Sequence, residues 1–217
     1  MAISSDQKKR RKDRILDAAE VLFSGHGFDG VTMRQIAKMA EVDVALPNYY
    51  FKSKRGLFKA VFLRRAEIIN AERAQRLERV VRDSEGKSLQ LEPIIEAFLQ
   101  PIQKAQESHD KGWRAYCSLV AYINNSPTWG NELMSDFFDE LVGKFIIALK
   151  KAMPEADEKD IYWGYHFLSG ALTLTMADTG RIDNLSGGIC HSDDVGEAYE
   201  RMVLFFAEGF RRICHKN

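Results

Sequence analysis

The sequence predicts an all-α chain, and three observations carry that expectation. Apolar residues recur at i, i+3, i+4 and i+7 almost from end to end. No stretch keeps the apolar/polar alternation that a half-buried strand requires. Helix-start chemistry stands at several joints: Thr32 with Gln35, Ser53, and Asp194 with Glu197. At 217 residues, 45% hydrophobic and 29% charged, the chain can bury one large or two small cores. That composition excludes a disordered or collagen-like polymer.

Taken in order, Ile15, Leu16, Ala18, Ala19, Leu22 and Phe23 form a first helical stripe that ends at Gly25-His26-Gly27. Thr32 and Gln35 make a capping box, in which hydroxyl and amide satisfy free N–H groups at a helix start. Met33, Ile36, Ala37 and Ala40 follow on one face, so a second helix covers 32–40. Glu41-Val42-Asp43 breaks it, and Asp43 caps a short third helix over 44–51. Ser53 caps a long fourth from Lys54 to Asp83, followed by the loop 84–88. Further helices are expected over 89–108, 112–124, 128–153, 157–180 and 194–214. Pro127 follows Ser126 as a first-turn proline, and Pro154 ends a helix. The organisation is a basic arm (1–12), a three-helix head (13–53) and a body of about six longer helices (54–217).

The net charge of zero hides an asymmetry. Residues 1–65 hold 14 Lys and Arg against 7 Asp and Glu, whereas residues 66–217 hold 17 against 24. A basic front joined to an acidic remainder suggests that the front meets a polyanion. The run Lys8-Lys9-Arg10-Arg11-Lys12 is either part of that surface or a solvated tail. Three cysteines speak against a disulfide framework and for a reducing cytoplasm. No apolar stretch follows the basic N-terminus, so no secretory signal is expected.

Residues 161–177 carry no Asp, Glu, Lys or Arg. That stretch is short of the roughly 20 apolar residues of a membrane span, contains His166, and lies between Asp160 and Asp178. It is read as a helix buried on all sides, held between its own domain and a second subunit. Gly164, Ser169, Gly170 and Ala171 would permit close helix approach.

A short helix, a tight turn and a second short helix, here 32–40, 41–43 and 44–51, is the helix-turn-helix layout of DNA readers. On the third helix Pro47 and Phe51 should face inward. Val44, Leu46, Asn48 and Tyr49 are left outward. Asn48 suits bidentate pairing with adenine, and Val44 and Leu46 suit thymine methyls. Tyr49, Tyr50, Lys52 and Lys54 would reach phosphates. A compact three-helix end cap is the alternative.

The run from Arg14 to Phe62, with ILDAAEVLFSGHGFDG and VTMRQIAKMAEVDVALPNYYFKSKRGLFKAVF, resembles the DNA-binding head of the tetracycline-repressor (TetR) family of bacterial regulators. The resemblance implies a homodimer placing two recognition helices in successive major grooves of a palindromic operator. It implies base or phosphate contact for Arg34 and phosphate contact for Thr32. Val44, Ala45, Leu46 and Asn48 match base-facing positions, and Tyr49, Tyr50 and Lys54 match phosphate-binding ones. Asn48 stands where family members often have Tyr, and Pro47 where they often have Leu.

Residues 137–213, with FFDELVGKFIIALKKAMPEADEKDIYWGYHFLSGAL and RMVLFFAEGF, are similar to the C-terminal domain of the fatty-acid-responsive, PsrA-type branch. This implies dimerisation through the last two helices and an apolar pocket for a lipophilic effector. The pocket candidates are Phe98, Trp113, Tyr116, Cys117, Val120, Met134, Phe137, Phe138, Phe167 and Met176, each of which plain core packing would also explain. His166 is read as a hydrogen-bonded core histidine, with a ligand anchor or a pH-sensitive interface group as alternatives.

Two patterns mislead. Gly25-His26-Gly27-Phe28-Asp29-Gly30 spells G-x-G-x-x-G, but a helix precedes it where dinucleotide chemistry needs a strand. Cys190-His191 with Asp193-Asp194 fits no standard zinc spacing and reads as a loop followed by helix-capping acids. No catalytic set, metal or cofactor is expected. The reading is therefore a ligand-responsive transcriptional regulator acting as a repressor, with no membrane role. Its rival is an all-helical interaction or sensor module without specific DNA binding.

Overall fold

The computed structural model describes residues 5–108, 110–126 and 130–214, and these are helical with no strand among them. The order is α1 (Ser5–His26), α2 (Met33–Met39), α3 (Ala45–Phe51), α4 (Lys54–Asp83), α5 (Leu91–Glu107), α6 (Lys111–Asn124), α7 (Gly130–Ala152), α8 (Glu158–Met176), α9 (Arg181–Ser186) and α10 (Val195–Cys214). Local chemistry sets most of these ends. Thr32 Oγ1 accepts the Gln35 N–H (3.3 Å) while Gln35 Oε1 accepts the Thr32 N–H (2.7 Å). Ser53 Oγ accepts from Gly56 N, Asp110 Oδ1 from Gly112 N, and Asp157 Oδ1 from Lys159 N.

The 30-residue α4 is the spine. Its apolar stripe of Phe62, Ala66, Ile69 and Leu77 is buried, and α1, α5, α6 and α7 pack around it. The head therefore has no core of its own: Ile15, Ala19 and Phe23 of α1 and Leu57 and Phe58 of α4 belong to one continuous apolar interior. Gly27, at φ +67, ends the chain's run along α1 with a Cβ position 3.3 Å from the Tyr122 ring of α6. A side chain there would be strained by the backbone and would press on that ring.

Three expectations are revised. The basic run Lys8–Lys12 is the first part of α1, because strong helix formers and the Asp6–Arg10 pair (3.3 Å) extend the helix backward; residues 1–4 of the arm lie outside the described residues. A short helix, α9, occupies the stretch after α8, between Gly180 and Gly187, both in the left-handed region at φ 64 and 65. In the single chain the apolar helix of 161–177 buries one side and leaves open the side read as meeting a second subunit. Ile161, Gly164, Leu168, Leu172 and Met176 face inward, while Tyr162, Trp163, His166, Phe167 and Leu174 are exposed. Finally, Asp194 accepts the Glu197 N–H (3.2 Å), but the Glu197 carboxylate pairs with Arg201 instead of returning to the cap. The Pro127 expectation lies outside the described residues. No described helix is long and apolar enough to cross a membrane.

Candidate nucleic-acid interface and interior cavity

The turn between α2 and α3 is held from three sides. Glu41 sits at φ +49, a left-handed conformation that a non-glycine residue keeps only when its surroundings enforce it. Arg14 of α1 supplies that constraint, with one Nη donating to the Glu41 carbonyl (3.0 Å) and pairing with its carboxylate (3.1 Å). Val42 N donates to Ala37 O, and Asp43 Oδ1 accepts the Ala45 N–H at 2.8 Å. Inward, Pro47 and Phe51 are buried together with Ile36 and Ala37.

Outward, the face carries Arg34, Val44, Ala45, Asn48 and Tyr49, all exposed. Among the described residues Arg34 makes no hydrogen bond or ion pair, so its fork is available. Thr32 is exposed, its hydroxyl engaged with Gln35. Leu46 and Tyr50 depart from the outward placement: both are half-buried and pack on the core, since seven residues make barely two turns. The Tyr50 ring still meets Tyr49 edge-on at 5.2 Å. Lys54 is tied down, its Nζ donating to Val31 O (3.1 Å) and lying 4.3 Å over the Phe28 ring. Lys12 brings the basic end of α1 to 5.8 Å from the Phe51 ring. Lys38, exposed four residues after Arg34, was not among the expected contacts; its i+4 spacing from Arg34 was the signal.

A second feature lies between α4, α5, α6, α7 and α8. This cavity of about 40 Å³ is bordered by six of the expected ligand residues: Phe98, Tyr116, Val120, Met134, Phe138 and Met176. The other five lie elsewhere. Trp113 is half-buried under the Arg65 guanidinium, 4.7 Å from its ring. Cys117 is buried among core side chains, and burial pushes its thiol up to about 12. Phe137 lies between the Phe62 ring (6.0 Å) and Lys59 Nζ (5.0 Å). His166 and Phe167 point away from the domain beside Trp163, at 5.6 and 5.7 Å. Helical geometry explains that last departure: with Leu168 and Gly164 inward, positions 166 and 167 fall on the opposite side.

The cavity also exposes residues that the stripe reading passed over, Tyr165 and Arg73. Arg73 is 5% exposed. Its Nε donates to the Phe98 carbonyl at 2.7 Å, and its guanidinium stands 4.1 Å over the Phe98 ring. Desolvation dominates its proton affinity and lowers it, against the raising influence of Tyr116, Tyr165 and Tyr199. A charge standing in the spacing Phe62, Ala66, Ile69, Arg73, Leu77 was the sequence signal.

The two features are mechanically joined. Glu20 of α1, 6% exposed, binds Arg64 (2.8 Å) and Arg65 (2.9 Å) of α4, and Arg65 continues to Asp110 of α6 (2.9 Å). The Gly112 N–H and Arg65 together hold the Asp110 carboxyl below the usual carboxylate range. Arg55–Glu132 (2.8 Å) and Lys59–Asp136 (3.3 Å) tie the head end of α4 to α7. Thus α6, which walls the cavity, packs on α1 of the head, and α7 is tied to the start of α4, the helix that follows the head.

Residues 15–61 match the family model described as bacterial regulatory proteins, tetR family, and residues 96–209 match the one described as tetracyclin repressor-like, C-terminal domain, which names no branch. The chain is 48% identical over 52 residues to the HTH-type transcriptional regulator YttP of Bacillus subtilis (strain 168), across 24% of this chain and 25% of that one. It is 39% identical over 69 residues to the HTH-type transcriptional repressor KstR of Rhodococcus jostii (strain RHA1), across 32% of each. The matched stretch thus spans a quarter to a third of these relatives. A solved tetR family transcription regulator from Shewanella sp. PV-4 shares the fold at TM-score 0.62 and 19% identity, across 92% of this chain and 97% of that one. These relatives are regulators of transcription, not enzymes. Head and body together are matched, and the chain belongs to the TetR family of bacterial transcriptional regulators.

Proposed function

We propose that the chain is a dimeric repressor that reads a palindromic operator through α2 and α3 and is released when a lipophilic small molecule enters the interior cavity. The observation that carries the reading is the joining of an open recognition face to helices that wall a cavity. Arg34 and Asn48 supply sequence preference. Lys38, Tyr49 and the basic start of α1 supply salt-sensitive phosphate attraction. Lys54 contributes from the loop it anchors.

Dimerisation runs through α8 and α10. Their outer faces leave Trp163 (48%), Phe167 (53%), Leu204 (64%) and Phe205 (72%) exposed in a single chain, an apolar area that monomers rarely present. The open groove of about 460 Å³ between the ends of α8, α9 and α10 adjoins this face and contains none of the expected ligand residues. Such a regulator works in the cytoplasm, where the operator is.

The test is selection of genomic fragments by the purified protein near physiological salt, with Arg34→Ala/Asn48→Ala as control. Recovery of one palindrome by the wild type only is expected. Equal enrichment by both proteins would overturn the reading and favour an interaction module.

A further inference from the structure

We infer that Arg73 and the cavity it borders form a site for a carboxylate carried on an otherwise apolar small molecule. The inference deepens the effector reading above and rests on that cavity being the effector site.

Arg73 occupies the middle of α4, in a position where Leu or Met would pack. It is buried, yet no carboxylate pairs with it among the described residues. The groups that bear on its charge are the neutral phenols of Tyr116, Tyr165 and Tyr199 and the thiol of Cys117. Of five guanidinium N–H groups, one is satisfied, by the Phe98 carbonyl. Buried guanidinium without an anion is among the costliest things a core can hold, and an apolar residue of similar volume commonly does as well or better there.

A second orphan lies one turn away. Asn70 donates its amide to the Phe137 carbonyl (2.8 Å), but its Oδ1 is buried with no donor. A buried acceptor without a donor is what an absent polar group or its water leaves behind.

The chemistry of the ligand follows from the lining. Among the described residues Arg73 is the one cation bordering it, so it matches a monoanion, and its planar fork matches the two oxygens of a carboxylate. Doubly charged phosphate would want more cations than the wall supplies. Ser169, Thr173 and Tyr165 offer hydroxyls nearby, while Ile102, Phe138 and Leu172 are apolar. At about 40 Å³ the cavity is of water size, so the body of the acid enters by displacing side chains. Met134 and Met176 in the wall are suited to yield.

The experiment measures thermal unfolding of the full-length protein without DNA. The probes are butyrate, hexanoate, octanoate, benzoate and phenylacetate, each against its primary amide at equal millimolar concentration. At least one acid should raise the wild-type midpoint by several degrees where its amide does not. Arg73→Met should melt at or above the wild type and lose that shift, and Arg73→Lys should keep a reduced one. Equal shifts from acid and amide, an acid shift surviving in Arg73→Met, or no shift from any acid would each overturn the inference. The wild-type comparison needs no variant, so a poorly folding Arg73→Met leaves the decision intact. With DNA absent, a carboxylate bound through Arg73 by a protein that fails the operator selection would uphold this site and overturn the regulatory reading.

Discussion

Asn48 and Pro47 are neighbours on α3 and face opposite ways, one to solvent and one into the core. The proline lies in the first turn, where the backbone donors have no helical partner to lose, so it anchors the helix at little cost. Asn48 is left to present its amide to a base edge. Asn48→Ala should cost about 1–3 kcal/mol on the cognate operator and relax preference at one base pair. Binding to a set of single-base operator variants reads this directly, and a uniform loss across the set would move Asn48 to the phosphate backbone. A second prediction concerns Cys117. Its thiol is raised by burial, so the thiolate needed for alkylation is scarce in the folded state near neutral pH and appears when unfolding restores the ordinary value. Mass mapping after iodoacetamide at about pH 8 should find Cys190, which is exposed, modified well before Cys117. Equal labelling would show that the α6 environment opens on the labelling timescale.

Apart from the backward extension of α1 and the short α9, the helices were legible to within a few residues, because caps and a 3.6-residue apolar spacing are local properties. Thr32–Gln35 and Ser53 mark starts whatever the rest of the chain does. What was not legible depends on partners far along the chain. The inward side of α8 is chosen by α10: a Cβ on Gly164 would run into the Phe210 ring, so the two helices cross there and His166 and Phe167 are turned outward. Arg73 stands in the apolar spacing of α4, but its partners, the Phe98 ring and carbonyl, come from a different helix. The exposure of Val44, Asn48 and Tyr49 was legible, whereas the shortness of α3 forces partial burial on Leu46 and Tyr50. The outward apolar face of α8 and α10 yields a prediction at this scale. Trp163→Glu/Phe205→Glu places two charges on residues that a single chain leaves 48% and 72% exposed, so each chain should still fold. Dimerisation would bury those charges without partners. Sedimentation should therefore find a monomer whose melting remains cooperative, with operator affinity at least about tenfold weaker, a loss of 1.4 kcal/mol or more. A dimer persisting in this variant would exclude α8 and α10 as the interface.

Across the molecule, the head shares its core with the body, so a change at the cavity need not travel along a dedicated wire to reach α3. Of the helices that wall the cavity, α4 and α6 pack on α1 of the head, and α7 is tied to the start of α4. Met134 and Phe138 line the cavity from α7, while Glu132 and Asp136 of the same helix hold Arg55 and Lys59. Both pairs are largely solvated, with side chains 46% to 72% exposed, and such pairs contribute about 0–1 kcal/mol to stability. They can nonetheless set the angle at which α7 meets α4. Glu132→Ala/Asp136→Ala should therefore leave the melting temperature close to that of the wild type and alter how strongly a bound effector weakens operator binding. Allosteric coupling is typically 1–3 kcal/mol, so removing part of it is readable as a several-fold change. Linkage supplies the control: whatever factor the effector takes from operator affinity, the operator must take from effector affinity, in the variant as in the wild type. An unchanged factor in Glu132→Ala/Asp136→Ala would assign the coupling to the α1–α4–α6 network around Glu20 instead. There the carboxylate is buried between two guanidinium groups, and Glu20→Gln would cost stability and coupling together.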